Sequence, residues 1–317
     1  MRIRIVIGYD GSEGADAALD DLPKAGLGND VEALVLSVAE LWLPPPPPSA
    51  VDESFPLYTP PGLKSAREHV AHIMNEVGSL NKKAVEHLRA IFPTWEVRGA
   101  THTGSPAWEV INVADKQEPD LVLVGSEGKS ALSRFFLGSV SQKILTEARC
   151  SVRVGRRPTT PASSMGRILV GVDGSPGADA AVQAVAKREW PSGTEINVIA
   201  VVDPSVALAL GSLNPQVTQW IEETDEGNDH WVRKMVETSA ENLRRAGLNV
   251  DAAVKEGEAK KVLVDEVKRL GADCIFVGST GFSNRLERFL LGSVSAAVAN
   301  RAECSVEVVR SKSVAPH

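Results

Sequence analysis

The stretch RIVIGYDGSEGADAAL, residues 4–19, returns later in the chain as RILVGVDGSPGADAAV, residues 167–182. Each copy begins with a short apolar run, which is followed by a glycine and, one residue later, by Asp-Gly-Ser. A short run of this kind, apolar on both faces, indicates a strand buried in a parallel sheet. We therefore expect the chain to contain the same strand and turn twice.

A second repeated stretch, GSEGKSALSRFFLGSVS at residues 125–141, returns as GSTGFSNRLERFLLGSVS at residues 278–295. Equivalent residues are 163 apart in the first motif and 153 apart at the start of the second, so the later copy is ten residues shorter between them. A period of this size indicates a duplicated domain, not a solenoid. We predict a domain at 1–157, a linker at 158–165, a second domain at 166–310 and a tail at 311–317.

The first copy alternates predicted strands with predicted helices. Runs rich in Ile and Val predict strands at 3–8, 33–38, 121–125 and 150–154. Residues 64–91 carry apolar side chains three or four positions apart, which predicts an amphipathic helix. Strand–helix alternation gives an α/β fold, with a parallel sheet covered by helices on both faces.

Composition and charge exclude several classes of protein. The 317-residue chain has a net charge of −7, so it lacks the basic surface expected of a nucleic-acid binder. No apolar stretch approaches the ~18 residues that a membrane helix needs. The start of the chain does not resemble a signal peptide, and its three cysteines form no CxxC pair. We expect a cytoplasmic protein without a metal site.

The glycine-rich loop is the first candidate binding element. It follows a predicted strand that ends at Gly125 and leads into a helix that begins just past Gly138, a place where α/β sheets bind anionic ligands. Gly125 and Gly128 would let a ligand approach the backbone. Gly138 and Ser139 would offer N–H groups and a hydroxyl to a phosphate, and Ser141 would offer a second hydroxyl. The alternative is a tight turn followed by a serine helix cap; the second copy of the loop favours phosphate.

Asp10 and Asp173 follow the first strand of each copy. A carboxylate at this position can accept hydrogen bonds from ribose hydroxyls or from the edge of a base. The alternative is an aspartate that caps a helix within a glycine-rich turn.

Together these residues resemble the universal stress protein family, in a tandem two-domain form that spans essentially the whole chain. The family signature is Gly, two residues, Gly, nine residues, Gly, then Ser or Thr; Gly125, Gly128, Gly138 and Ser139 match it. The resemblance implies two doubly wound, Rossmann-like or flavodoxin-like domains, each with a five-stranded parallel sheet of order 3-2-1-4-5. It also implies a stress-response sensing module that binds ATP or a related adenine nucleotide, with or without Mg²⁺.

The resemblance further implies which residues contact the nucleotide. In the first half they are Asp10, Val38, Gly125, Gly128, Gly138, Ser139, Val140 and Ser141. In the second half they are Asp173, Val201, Gly278, Gly281, Gly292, Ser293, Val294 and Ser295.

Two other functions stay open. One is an enzyme that slowly hydrolyses ATP or transfers a phosphoryl group, although no Ser-His-Asp arrangement and no P-loop lysine motif mark a catalytic centre. The other is an interaction scaffold with degenerate nucleotide sites. Whatever the function, we predict that residues 150–156 and 304–310, which have the pattern of apolar edge strands, pair with each other as a pseudo-dimer. The alternative pairs them between two chains, as a homodimer.

We expect the second site to bind ATP more weakly than the first. Residues 282–291 place ten residues before the third glycine of the signature, where residues 129–137 place nine. One extra residue adds up to ~3.5 Å of chain, which moves the helix N-terminus away from the phosphate unless the loop bulges outward. Calorimetry should show the difference, and deletion of Asn284 should tighten the second site. Tighter binding at the second site of the unmodified protein would mean that the negative charge of Glu127 matters more than loop length.

Overall fold

The structure, a computed structural model, describes residues 2–41, 63–128, 137–157, 166–203, 215–279 and 291–311. The first half contains β1 (Ile3–Gly8), α1 (Glu13–Asp21), β2 (Val31–Ala39), α2 (Leu63–Ile91), β3 (Glu96–Thr103), α3 (Pro106–Gln117), β4 (Leu121–Gly125), α4 (Ser139–Glu147) and β5 (Ser151–Gly155). The second half contains β6 (Arg167–Gly171), α5 (Pro176–Ala186), β7 (Glu195–Val202), α6 (Pro215–Arg245), β8 (Asn249–Glu256), α7 (Ala259–Leu270), β9 (Cys274–Gly278), α8 (Ser293–Arg301) and β10 (Ser305–Val309). The predicted α/β class is confirmed, and the proposed linker at 158–165 lies outside the described residues.

The ten strands form one continuous sheet in the order β3-β2-β1-β4-β5-β10-β9-β6-β7-β8. Each half keeps the order 3-2-1-4-5, and all neighbouring strands are parallel except β5 and β10. The two five-stranded sheets indicated by the sequence are joined into one by the antiparallel pairing of β5 with β10, strands that lie within the two stretches predicted to pair, 150–156 and 304–310. An unpaired β5 or β10 would expose backbone N–H and C=O groups at the edge of its own half, and the pairing covers both edges.

The two faces of the sheet differ where the halves meet. Side chains alternate along a strand, so Val152 and Val154 point to one face together with Val306 and Val308. On that face a single apolar core extends through both halves beneath α3, α4, α7 and α8. On the opposite face each half has its own core, beneath α1 and α2 or beneath α5 and α6.

A buried charge network occupies the boundary between these two separate cores. Arg153 and Glu307 are directly opposite each other in the β5–β10 pair, and Arg153 is fully buried. Its Nε donates to Asp21 at 2.6 Å and its Nη1 donates to Glu307 at 3.2 Å, while Arg188 pairs with the other oxygen of Glu307. Burial acts to lower the pKa of Arg153, but the nearby Asp21 and Glu307 carboxylates help to hold that pKa well above its ordinary value. The guanidinium therefore stays charged.

Equivalent loops of the two halves also touch beside this network. The backbone N–H of Glu189 donates to the carbonyl of Gly26 at 2.9 Å. The Arg188 guanidinium donates to the carbonyl of Ala25 at 2.6 Å, and Lys24 Nζ lies 2.6 Å from Asp273 Oδ1. On this face the interface is therefore built from polar contacts, whereas valines of β5 and β10 pack on the other face.

None of the helices, as far as the chain is described, combines the length and the apolar character required to cross a membrane.

We expect Arg153→Met to lower the free energy of unfolding by about 3–5 kcal/mol, because it leaves the Asp21 carboxylate buried without its partner. Chemical denaturation measures the loss. The control is Lys82→Met, which removes one end of an exposed ion pair with Glu86 and should change stability by less than about 0.5 kcal/mol. Adding Asp21→Leu to Arg153→Met should restore part of the loss. Equal effects of the Arg153 and Lys82 variants would contradict the structural role of the network.

Candidate functional site

The turn after the first strand of each half holds an aspartate at the carboxyl edge of the sheet. Oδ1 of Asp10 accepts a hydrogen bond from the backbone N–H of Ser12 at 2.9 Å. Gly11, between them, has a φ of 76°, a conformation that favours glycine. Asp173 makes the same contact with Ser175 at 2.9 Å. Both aspartates are exposed, so each can stabilise its turn and still present a carboxylate oxygen to a ligand.

Gly125 ends β4 against the N-terminus of α1. A Cβ at Gly125 would lie 2.5 Å from the carbonyl carbon of Gly14, and a Cβ at Gly278 would lie 2.4 Å from that of Gly177. These distances are too short for any side chain, and backbone atoms of a helix cannot move aside cheaply. Glycine is therefore required here by the packing of a helix against a strand, whereas the sequence indicates a role in ligand approach.

Gly138 is in a different situation. A Cβ there would lie 3.5 Å from the nearest atoms of the described residues, which is ordinary van der Waals contact. Its φ of −61° and ψ of 151° are open to any residue. Its N–H donates to the carbonyl of Ser126 at 2.8 Å, and the N–H of Gly292 donates to Ser279 at 2.6 Å. The sequence predicts that Gly138 offers its N–H group to a phosphate. In the structure, the N–H groups of both glycines are instead bonded within the protein. What Gly138 contributes is the absence of a side chain.

The first turn of α4 offers the N–H groups of Ser139, Val140 and Ser141. The described residues supply no hydrogen-bond acceptor for them. The side-chain hydroxyl of Ser141 donates to the carbonyl of Gly125 at 2.6 Å, and Ser295 makes the equivalent contact at 2.5 Å. In each half, this serine hydroxyl therefore ties the start of the helix to the end of the preceding strand, α4 to β4 and α8 to β9. The N–H groups at such a helix N-terminus carry partial positive charge and favour an anion.

Two clefts open at this edge of the sheet, one in each half, with volumes of about 1180 Å³ and about 370 Å³. The lining of the first contains every residue predicted for it: Asp10, Val38, Gly125, Gly128, Gly138, Ser139, Val140 and Ser141. The lining of the second contains Asp173, Val201, Gly278, Gly292, Ser293, Val294 and Ser295. Gly281 lies outside the described residues. The predicted residues of each half thus converge on one cleft.

One wall of the first cleft is formed by α2, which the sequence did not assign to the site. Ile73 and Leu80 contribute apolar surface, and His72, Glu76 and Lys83 contribute polar groups. The His72 side chain is 70% exposed, with its Nε2 3.3 Å from a Glu76 oxygen. The apolar stripe of α2 was the available signal, but a stripe predicts which side of a helix is buried and not which strand ends the helix reaches.

Glu127 places a negative charge beside the first loop, where the sequence indicates that it would repel an anion. Glu127 is half-buried and lines the first cleft, and its backbone carbonyl accepts from the Ser12 hydroxyl at 3.1 Å. Across the described residues, no three His, Cys, Asp or Glu side chains are grouped so that they could hold a metal ion.

The contrast between the two glycines can be tested by stability. We expect Gly125→Ala to lower the free energy of unfolding by about 3 kcal/mol, the upper end of the cost of overpacking. Gly138→Ala should cost less than about 1 kcal/mol, since only a helix cap is altered. Chemical denaturation of both variants gives the comparison. If the two substitutions are equally tolerated, α1 does not pack on β4 as described.

Comparisons with known proteins agree with this architecture. The sequence profile of the universal stress protein family matches residues 1–156 and 165–310. The chain is 24% identical over 310 residues to the universal stress protein Mb2028c of Mycobacterium bovis, covering 96% of each. It is 31% identical over 93 residues, 29% of this chain, to the universal stress protein MJ0531 of Methanocaldococcus jannaschii, of which the match spans 53%.

A solved structure shows the same fold over nearly the whole length. The crystal structure of a universal stress protein from Archaeoglobus fulgidus matches with a TM-score of 0.64 and 22% identity, covering 97% of this chain and 98% of that one. Because the family profile matches both halves, which carry the same turn, loop and cleft, this chain belongs to the universal stress protein family.

Proposed function

We propose that each half binds one adenine nucleotide, with ATP as the expected ligand, and that the protein acts as a stress-response sensing module. The observation that carries the proposal is the meeting, in both clefts, of an exposed aspartate, a strand-end valine and the N-terminus of a short helix. The clefts lie between the first and fourth strands of each half, the switch point at which open α/β sheets bind ligands.

The residues of the first cleft have distinct parts in this proposal. The α4 N-terminus receives the phosphates, because the N–H groups of Ser139, Val140 and Ser141 are directed to no acceptor among the described residues. Asp10 accepts from ribose or base, and the half-buried Val38 contacts the apolar face of the base. Gly138 lets the phosphates approach the backbone, since no contact with a described residue requires a glycine there.

Three further features belong to the same proposal. The two halves work as a pseudo-dimer through β5 and β10, and no second chain is needed to cover either edge. Mg²⁺, where present, is held mainly by the phosphates, which is common for this ion. The location is cytoplasmic, in keeping with a sequence whose three cysteines form no CxxC pair.

We expect Gly138→Val to abolish ATP binding at the first site and Gly292→Val to abolish it at the second. In each variant a branched side chain would occupy the space of the phosphate. Isothermal titration calorimetry should give two bound ATP per unmodified chain and one per variant, and the double variant should bind none. Unchanged stoichiometry in Gly138→Val would refute the assignment.

Two further measurements distinguish the proposed nucleotide-binding module from the scaffold and from the enzyme. Mass spectrometry of ligand released from freshly purified protein identifies the natural nucleotide, and an adenine nucleotide argues against a scaffold with degenerate sites. ATP turnover above that of the double variant would indicate an enzyme.

A further inference from the structure

Two arginines occupy equivalent positions just after the last strand of each half. Arg156 follows β5 and Arg310 follows β10, and both are buried, with relative exposures of 9% and 6%. Their backbone N–H groups make matching contacts across the interface. Arg156 donates to the hydroxyl of Ser305 at 3.0 Å, and Arg310 donates to the hydroxyl of Ser151 at 3.1 Å. Each arginine is therefore fixed by the opposite half of the chain.

The two guanidinium groups reach the carboxyl ends of the helices that begin at the clefts. Arg310, from the second half, donates from Nη2 to the carbonyl of Leu145 in α4 at 2.6 Å. Arg156, from the first half, donates from Nη2 to the carbonyl of Ala299 in α8 at 2.6 Å. Each Nη1 donates to a second carbonyl just beyond the helix. Arg310 reaches the carbonyl of Cys150 at 3.4 Å, and Arg156 reaches that of Cys304 at 3.3 Å. The contacts cross the interface in both directions.

These cations suit the helix ends that they reach. The last carbonyls of a helix lack partners within it and carry partial negative charge. No basic side chain of α4 itself lies in its last turn, so the cation there comes from the other half. Burial lowers the pKa of Arg310 to about 10, which leaves the guanidinium charged at neutral pH.

Each helix is held at both ends. Ser141 ties the start of α4 to the Gly125 carbonyl, and Arg310 ties its end to the other half. The helix has nine residues, about 13 Å at 1.5 Å per residue. A helix this short moves as one body, so loss of the contact at its carboxyl end displaces the N–H groups at its start.

We propose that Arg310 positions the phosphate-binding helix of the first site and that Arg156 positions that of the second. Each nucleotide site thus depends on an arginine from the opposite half, which reaches it across the β5–β10 interface. This inference rests on the proposed function of the clefts. It goes further in assigning, for each site, a residue that lies outside the site's own half.

The test uses Arg310→Met and Arg156→Met in the full chain, each combined with Gly138→Val or Gly292→Val so that one site is titrated at a time with ATP. Arg310→Met should weaken the first site about 10-fold and the second less than about 2-fold, and Arg156→Met should do the reverse. Calorimetry gives both affinities. Equal losses at the two sites, or losses confined to the arginine's own half, would overturn the inference.

Matched controls remove an exposed positive charge near the same helix ends. Arg149→Met does so beside α4, where Arg149 is 70% exposed, and Arg301→Met does so in the last turn of α8. Neither should change the affinity of either site by more than about 2-fold. Arg310→Lys and Arg156→Lys keep the charge but lose the two-carbonyl fork, so they should give smaller, still crossed, losses. They also serve if a methionine variant does not fold.

A second measurement needs no nucleotide. Hydrogen exchange of the ligand-free protein should show faster exchange in α4 for Arg310→Met and faster exchange in α8 for Arg156→Met. Absence of ATP binding by the unmodified chain would refute the proposed function, while exchange still tests the crossed contacts. If exchange rises equally in both helices, or in neither, the positioning role is wrong.

Discussion

The antiparallel pairing of β5 with β10 is the contact on which the rest of the molecule depends. It turns two sheet edges into the centre of one sheet, and Arg153 and Glu307 face each other at that centre. Because side chains alternate along a strand, the same few residues supply apolar packing to one face and a charge network to the other. The pairing thus determines both the shared core and the boundary between the two separate cores.

The clefts are built on this central contact. β4 and β9 flank the central pair, and their carboxyl ends carry the loops that lead into α4 and α8. Two glycines shape the first cleft, and each is needed for a different physical reason. Gly125 lets α1 pack on β4, and Gly138 leaves room at the start of α4. Ser141 links these elements by its hydrogen bond to the Gly125 carbonyl. A nucleotide would therefore contact groups whose positions depend on strands at the middle of the molecule.

Much of this architecture could be predicted from the sequence, because local patterns dictate it. The repeated motifs indicate the duplication, and the Ile- and Val-rich runs indicate the strands. The residues that converge on each cleft follow from the position of the motifs at strand ends. Apart from the pairing of the two last strands, contacts between separate segments could not be predicted. Nothing in the sequence shows that Gly14 packs against Gly125 or that the Ser126 carbonyl accepts a hydrogen bond from the N–H of Gly138. Nor does the sequence show that α2 reaches the first cleft. A clue existed in Arg153 and Glu307, since a charged residue within a short apolar strand needs a buried partner.

The asymmetry of the central pair bears on how the two halves can evolve. Tandem repeats in a gene can overwrite one another by recombination, which makes their products alike. A chain with the first half in both positions would place an arginine opposite Arg153, and one with the second half in both would place a glutamate opposite Glu307. Like charges buried face to face in a sheet are destabilising. Each recombinant would keep the partner supplied by its own half, Asp21 for Arg153 or Arg188 for Glu307, but it would lose the attraction across the central pair, so this pair of side chains favours two distinct halves.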